Sequence, residues 1–319
     1  MKNKLILRYD KMNKFNNETF KEMTTDCIND AFYVKGITNR GKLKVIRQLA
    51  EIVLRRILDF SESEFLTLGK SQIRELVKEK TNNNEFLINS IDNIKLLGNG
   101  ATHTQNVNVF KDNEFDESVD SLFNMYAYLL ITYFEEYEFG YNNSIMSAFS
   151  ILPPVIRFKV LNYLYENNYN YNVYVIDKLV LSILKTKTKQ DAIIWIVDKK
   201  KVLEQMSSVS EEARKNLKNS LDNETADFII ATSPNMYDLC NEKIELVSSQ
   251  IEVKGKRYST FENAKGLYKE LGIVHGDTIE ITKFNLIMEF LYMGRKEEKA
   301  AWECKIFCVN RKKEVPSVE

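Results

Sequence analysis

From Lys42 to Leu58, apolar residues recur at Leu43, Ile46, Leu49, Ala50, Val53, Leu54, Ile57 and Leu58, which predicts an amphipathic helix. The same periodicity runs through a longer stripe of Val119, Leu122, Phe123, Tyr126, Leu129, Leu130, Tyr133 and Phe134. That helix is expected from Asp116, a suitable N-cap, to Phe139. Asn84 to Leu97 forms another, with Phe86, Leu87, Ile91, Ile94 and Leu97 inward and Gly98 as its stop. Shorter helices are expected over Thr19–Tyr33 and Gly69–Lys80. Five amphipathic helices with short links make a bundle whose core holds Ile46, Val53, Ile91, Ile94, Leu122, Tyr126, Leu129 and Tyr133.

The pattern changes near residue 140. Gly140 to Leu152 gathers Asn and Ser, and Pro153-Pro154 suits a helix start, so this stretch reads as the joint between two domains. Beyond it, helices are predicted over Pro154–Glu166, Val173–Leu184, Lys189–Met206, Glu211–Leu221, Ala226–Ala231, Tyr237–Ser249 and Phe261–Leu271. Ile251–Tyr258 and Asp277–Thr282 alternate as short strands do, which adds a small β element. The Asn runs at 82–84 and from 167 to 172 read as loop filler without chemistry.

The chain has 319 residues, and 44% hydrophobic content supplies a genuine core. Eleven Gly and four Pro argue against turn-dense β designs. The 45 basic and 45 acidic residues cancel, which excludes a strongly basic nucleic-acid coat. Charge is uneven within the first half, however. Residues 1–80 hold 17 Lys/Arg against 11 Asp/Glu, whereas residues 81–140 hold 2 against 10. A bundle with one basic and one acidic side can pair with itself or offer its basic side to an anion. Cys27, Cys240, Cys304 and Cys308 are too scattered for a disulfide framework, and no nearby His completes a zinc site around the last two. They read as reduced thiols. Lys2, Lys4, Arg8 and Lys11 break up the N-terminus, which carries no signal-peptide core. The longest apolar run, Met125–Phe134, is too short to span a bilayer. A cytoplasmic protein without membrane contact is expected.

One predicted link stands out. About 18 residues separate Leu97 from Asp116, longer than compact domains ordinarily allow between helices. His103 lies in this link, after Gly98, Asn99 and Gly100; the other histidine, His275, lies in a turn with no acid, base or nucleophile beside it. A loop histidine is ordinarily solvated, but its place in the one long link of a bundle singles His103 out. On the helix Lys42–Leu58, the polar positions Lys44, Arg47, Gln48, Glu51 and Arg55 share a face. That face reads either as a solvated stripe in which Glu51 pairs with Arg47 and Arg55, or as a set of groups working with His103.

The run Lys95-Leu96-Leu97-Gly98-Asn99-Gly100-Ala101-Thr102-His103 resembles the G-N-x-x-x-H signature of a branch of the HEPN superfamily. That branch is a bacterial group of unknown function found with type I restriction subunits and in phage-defence loci. The resemblance covers residues 20–140, including Glu51 on the upstream helix and the helix after the loop. It implies a HEPN-like helical bundle over residues 1–140 that forms a homodimer and brings two histidine loops to one cleft. Catalytic members are metal-independent endoribonucleases with an R-x(4–6)-H motif. Their His moves the ribose 2′-OH proton and their Arg holds the scissile phosphate. Gly98 stands where that Arg would be, and no Arg occurs between Arg74 and Arg157. Arg47, Arg55 or Lys95 would have to supply the cation, with Glu51 orienting His103. The resemblance thus nominates His103, Asn99, Glu51, Arg47 and Arg55 as site residues, with no cofactor and no metal.

The expected fold is therefore mainly α: a HEPN-like bundle over 1–140 and a mostly helical second domain with a small β element over 141–319. No phosphate-binding Gly-rich loop, zincin H-E-x-x-H or G-x-S-x-G nucleophile motif is present. The basic runs Lys199–Lys201 and Arg311–Lys313 read as solvated surface; Lys254–Tyr258 is the best candidate for tracking a nucleic-acid backbone. Two functions remain open: a HEPN-type endoribonuclease or toxin of an antiviral defence system, or a catalytically silent dimerising adaptor for a restriction or defence complex.

Overall fold

The computed structural model describes residues 14–298, apart from 168 and 257. The fold is mainly α, with fifteen α-helices and no strand among the described residues. Three long helices form the first bundle: α2 (Asn39–Leu58), α4 (Glu85–Thr102) and α5 (Asp112–Glu136) all pack on one another. α1 (Asn17–Ile28) lies on α2, and α3 (Ser71–Lys80) buries Ile73 and Val77. All eight core residues expected from the pattern are buried.

Across the expected joint, Asn142 caps a short helix, α6 (Asn143–Phe149), and Pro153-Pro154 opens α7 (Pro154–Glu166). α7 leans on α5, where Lys159 pairs with Asp120 at 2.7 Å, and on α8 (Val173–Thr186). α8 in turn carries α9 (Lys189–Asp198) and α13 (Met236–Lys254). The expected single helix over Lys189–Met206 is instead α9 followed by the one-turn α10 (Lys200–Leu203). α11 (Glu211–Ser220) and α12 (Asn223–Thr232) pack together at the periphery, and α14 (Phe261–Leu267) precedes the last helix, α15 (Ile279–Tyr292). One hydrophobic core runs from Phe15 to Tyr292 without a break at residue 140.

Neither expected strand forms. Ile251 continues the stripe begun by Cys240, Ile244 and Val247, so the alternation of Ile251–Lys254 is the end of α13, terminated by Gly255 at φ +72°. Lys254 therefore closes a helix, and Lys256 donates to the Lys187 carbonyl at 3.2 Å. Within Asp277–Thr282, Thr278 caps α15 by accepting from the Ile281 amide at 3.2 Å. α15 buries residues on every side, among them Phe284, Leu286, Met288 and Phe290, and so shows no amphipathic stripe to read. It returns to the first bundle, where Asn17 Nδ2 donates to the Leu286 carbonyl at 3.1 Å.

The Asn runs are structural rather than filler. Asn84 accepts from Leu87 N at the start of α4, and Asn172 accepts from Tyr174 N and Val175 N at the start of α8. Asn82 and Asn83 take left-handed backbone at φ +54° and +55°, which Asn tolerates better than most residues. Arg295 fastens the far end of the chain. Only 5% exposed, its guanidinium lies between the rings of Phe32 and Phe261, 4.5 and 4.6 Å from their centres, and pairs with Glu262 at 3.5 Å. Among the described residues no helix is long and apolar enough to cross a membrane.

Candidate functional site

The expected 18-residue link is half that length. α4 does not stop at Gly98; it runs on to Thr102, α5 begins at Asp112, and nine residues, 103–111, connect them. Leu87, Ile91, Ile94, Gly98 and Ala101 are all buried, so the inward stripe of α4 passes straight through the glycine. Ala101 then joins Leu43, Leu97 and Phe110 in a small apolar cluster that seats the end of the helix.

Gly98 is a packing residue. A β-carbon built on it would fall 2.9 Å from both Cβ and Cδ of Arg47, so only glycine lets the Arg47 stem cross α4 at this height. The Arg47 guanidinium then reaches Asn99, whose Oδ1 accepts a hydrogen bond from Nη1. Its Nε lies 3.6 Å from Glu51 Oε1, and Nη2 donates to Thr67 Oγ1 at 3.5 Å. Glu51 Oε1 also accepts from Thr67 Oγ1 and from Leu68 N, each at 3.1 Å. Arg47, Glu51 and Asn99 thus form one polar network, half-buried between α2, α4 and the loop before α3.

The His103 side chain is not part of this network. It is the C-cap of α4, its amide donating to the Asn99 carbonyl at 3.0 Å. Four positions apart, Asn99 and His103 share a helix face. The imidazole is exposed and has no hydrogen-bond partner among the described residues. Glu51 is bonded to Arg47, Thr67 and Leu68 rather than to His103.

Arg55 lies elsewhere. Its Nη1 donates at 2.7 Å to the carbonyls of both Ser61 and Glu64, so it pins the loop after α2 instead of pairing with Glu51. Lys95 is half-buried on α4. The expected pairing of Glu51 with two arginines is thus halved, with Arg47 alone retained.

Two residues absent from the sequence reading shape the site. Thr67 bridges Arg47 and Glu51. Arg40 donates through Nη1 to the Ala101 carbonyl at 3.1 Å and through Nη2 to the carbonyls of Asn106 and Asn108 at 2.7 and 2.9 Å. Its guanidinium also covers the Phe110 ring at 5.1 Å. A cation at the carbonyl end of a helix is the expected cap, but Arg40 precedes the apolar stripe that marked α2 from Lys42. Pinned in this way, the loop turns Val107 and Val109 outward, 85% and 87% exposed.

Among the described residues no group of His, Cys, Asp and Glu could hold a metal ion. Cys27 and Cys240 are buried free thiols; Cys304 and Cys308 lie outside the described residues, as does the run Arg311–Lys313. Lys199 and Lys200 pair with Asp198 and Glu204 at 2.7 and 3.5 Å on the surface. His275 is exposed ahead of α15. Set against protein-family models, curated proteins and solved structures, the chain finds no match in any of the three.

Proposed function

We propose that this chain is a HEPN-like protein that acts on RNA, as a homodimer in the cytoplasm, within a bacterial defence or toxin system. One observation supports the reading: the Arg47 stem crosses Gly98 and its guanidinium bonds Asn99, one turn before His103, where it could take the part of the missing cation. A guanidinium holds phosphate through paired N–H donors, and an imidazole titrates near neutrality. Together they supply what metal-independent RNA cleavage needs. His103 takes the ribose 2′-OH proton, the 2′-oxygen attacks phosphorus, and the 5′-oxygen leaves with a proton returned by an imidazolium. Arg47 offsets the phosphate charge throughout. A second protomer would bring the second imidazole and close the cleft over the exposed His103.

The test is cleavage of end-labelled single-stranded RNA by the purified full chain in excess EDTA. Cleavage is expected, and His103→Ala should lower its rate by about 10²-fold or more, the scale of a general acid–base group, at unchanged melting temperature. Arg47→Lys should retain folding but bind RNA more weakly. RNA left intact by the parent chain, or cut equally by His103→Ala, would sink the nuclease reading.

The engagement of Arg47 by Glu51, Asn99 and Thr67 favours a second reading, a silent adaptor for a restriction or defence complex. In that case the chain binds a partner subunit with the same affinity whether residue 103 is His or Ala.

A further inference from the structure

A cavity of about 770 Å³ shares no lining residue with the Arg47 network. It lies where the end of α5, the turn through Gly140, the loop between α7 and α8, and the segment from Met206 to Arg214 meet. Its volume is that of an ordinary small-molecule site, about 300–1,000 Å³. Tyrosines form its walls: Tyr141, Tyr169, Tyr171 and Tyr174.

Two of these rings are held in place. The Tyr174 hydroxyl shares a hydrogen bond with Ser210 Oγ at 2.8 Å, and Tyr169 donates to the Phe134 carbonyl at 3.2 Å. Tyr174 also packs against Gly140, whose φ of +109° and missing side chain leave room for the ring. Asn172 Nδ2 donates to the Phe139 carbonyl at 3.2 Å and ties the loop to the end of α5.

Carboxylates complete the lining. Glu135 comes from the end of α5, Glu138 from the turn after it, and Glu212 from α11. None of these three has an ion-pair partner among the described residues. The one cation of the lining, Arg214, is 3.9 Å from Glu211 and donates to the Val209 carbonyl. All three are exposed at the rim of the cavity, and Glu138 accepts a hydrogen bond from the Tyr141 hydroxyl. The charges of Glu138 and Glu212 both raise the Tyr141 phenol above its ordinary pKa, and burial holds the Glu135 carboxyl above the usual range.

Aromatic faces attract cations through the ring quadrupole, and carboxylates without an ion-pair partner add a negative potential that favours a cation. The carboxylates are not grouped closely enough to hold a metal ion, and a metal ion would gain nothing from four tyrosines. An alkyl ammonium uses both. Carboxylates contributed by separate segments of the lining fit several ammonium groups separated by methylene chains. We infer that this Tyr- and Glu-lined cavity binds a small aliphatic polyamine, its ammonium groups on the carboxylates and its methylenes along the tyrosine rings. The inference does not rest on the proposed RNA activity, since the two sites share no residue.

Calorimetric titration of the full chain with spermidine in buffer containing physiological salt tests it. Saturable one-site binding is expected, with Mg²⁺ at the same charge concentration failing to displace it. Tyr171→Ala removes a ring that is 71% exposed, so the fold should be undisturbed, and binding should weaken by about tenfold, the scale of one cation–π contact. Glu138→Gln with Glu212→Gln should weaken it further. Absence of saturable heat, full displacement by Mg²⁺, or unchanged affinity in Tyr171→Ala would overturn the assignment. So would tighter binding of Nα-acetyl-lysine amide than of spermidine, which would make the ligand a protein side chain.

Discussion

The stem of Arg47 lies across the bare α-carbon of Gly98, with a hypothetical β-carbon there only 2.9 Å from Arg47 Cβ and Cδ. Helix propensity alone would favour Ala at this interior position by about 1 kcal/mol. Crowding of this kind typically costs about 1–3 kcal/mol, because Arg47 Cβ is tied to its own helix and cannot swing away. Gly98→Ala should therefore lower stability by about 1 kcal/mol net, read as a lower urea midpoint at unchanged slope. In an Arg47→Ala background, where Cγ and Cδ are gone, the same substitution should cost less. A stabilised Gly98→Ala would show that the two side chains do not compete for this space.

Arg40 should control the loop that carries His103. Its guanidinium joins carbonyls of Ala101, Asn106 and Asn108, a set that a single ammonium cannot span. Arg40→Ala is expected to cost about 1–2 kcal/mol, the net value of charge-assisted hydrogen bonds in a half-exposed setting. Arg40→Lys should restore little of it. Hydrogen exchange reports the site directly: the amides of His103 and Asn106, which close the end of α4, should exchange faster in both variants. Unchanged protection there would remove Arg40 from its capping role.

The extent to which this arrangement could be read from sequence differs between fold and site. The stripes on α2 and α5 were legible because each helix has one wet face, so periodicity exposes it. α15 escaped because its residues are buried all round, and its opening Asp277–Thr282 mimicked a strand. Gly98 misled for a different reason. Glycine at a helix end and glycine beneath a crossing side chain look alike in one dimension, and only Arg47, 51 positions away, distinguishes them. The continuing stripe of Ile94, Gly98 and Ala101 was the available clue. Arg47, Glu51 and Asn99 are brought together as their positions suggest; Arg55, on the same helix face, is instead drawn to the Ser61 and Glu64 carbonyls. Side-chain reach of that kind depends on the path of the next loop, which periodicity does not encode.

The buried thiols give a pH dependence of definite sign. Burial raises the Cys27 thiol to about 11 and the Cys240 thiol to about 12, from 9.0 in an exposed cysteine. A thiol that ionises later when folded keeps its proton where the unfolded chain has lost it. Stability from these groups is therefore fully present below pH 9 and falls as pH rises through 11–12. At pH 8 both should resist alkylation in the native chain and react quickly in denaturant, followed by mass spectrometry of the two cysteine peptides. Rapid native-state labelling of either would show that its helix opens locally.

The last expectation concerns assembly. Val107 and Val109 are among the most exposed large apolar side chains described, and both stand in the loop that Arg40 fixes beside His103. Side chains so exposed contribute little to the stability of one protomer, and the proposed dimer is expected to bury them. A twofold contact places the same patch on both subunits, and a loop contact near the axis would set two His103 side chains toward one cleft. The proposed dimer should sediment at about twice the chain mass of 37.3 kDa at micromolar concentration. Val107→Asp with Val109→Asp should return it to monomer without lowering the melting temperature, since no intramolecular packing is lost. The same variant should lose RNA cleavage while Arg47 and His103 remain intact, which separates assembly from chemistry. If the parent chain is monomeric, or if the double variant stays dimeric, the loop is not the interface and the shared cleft falls with it.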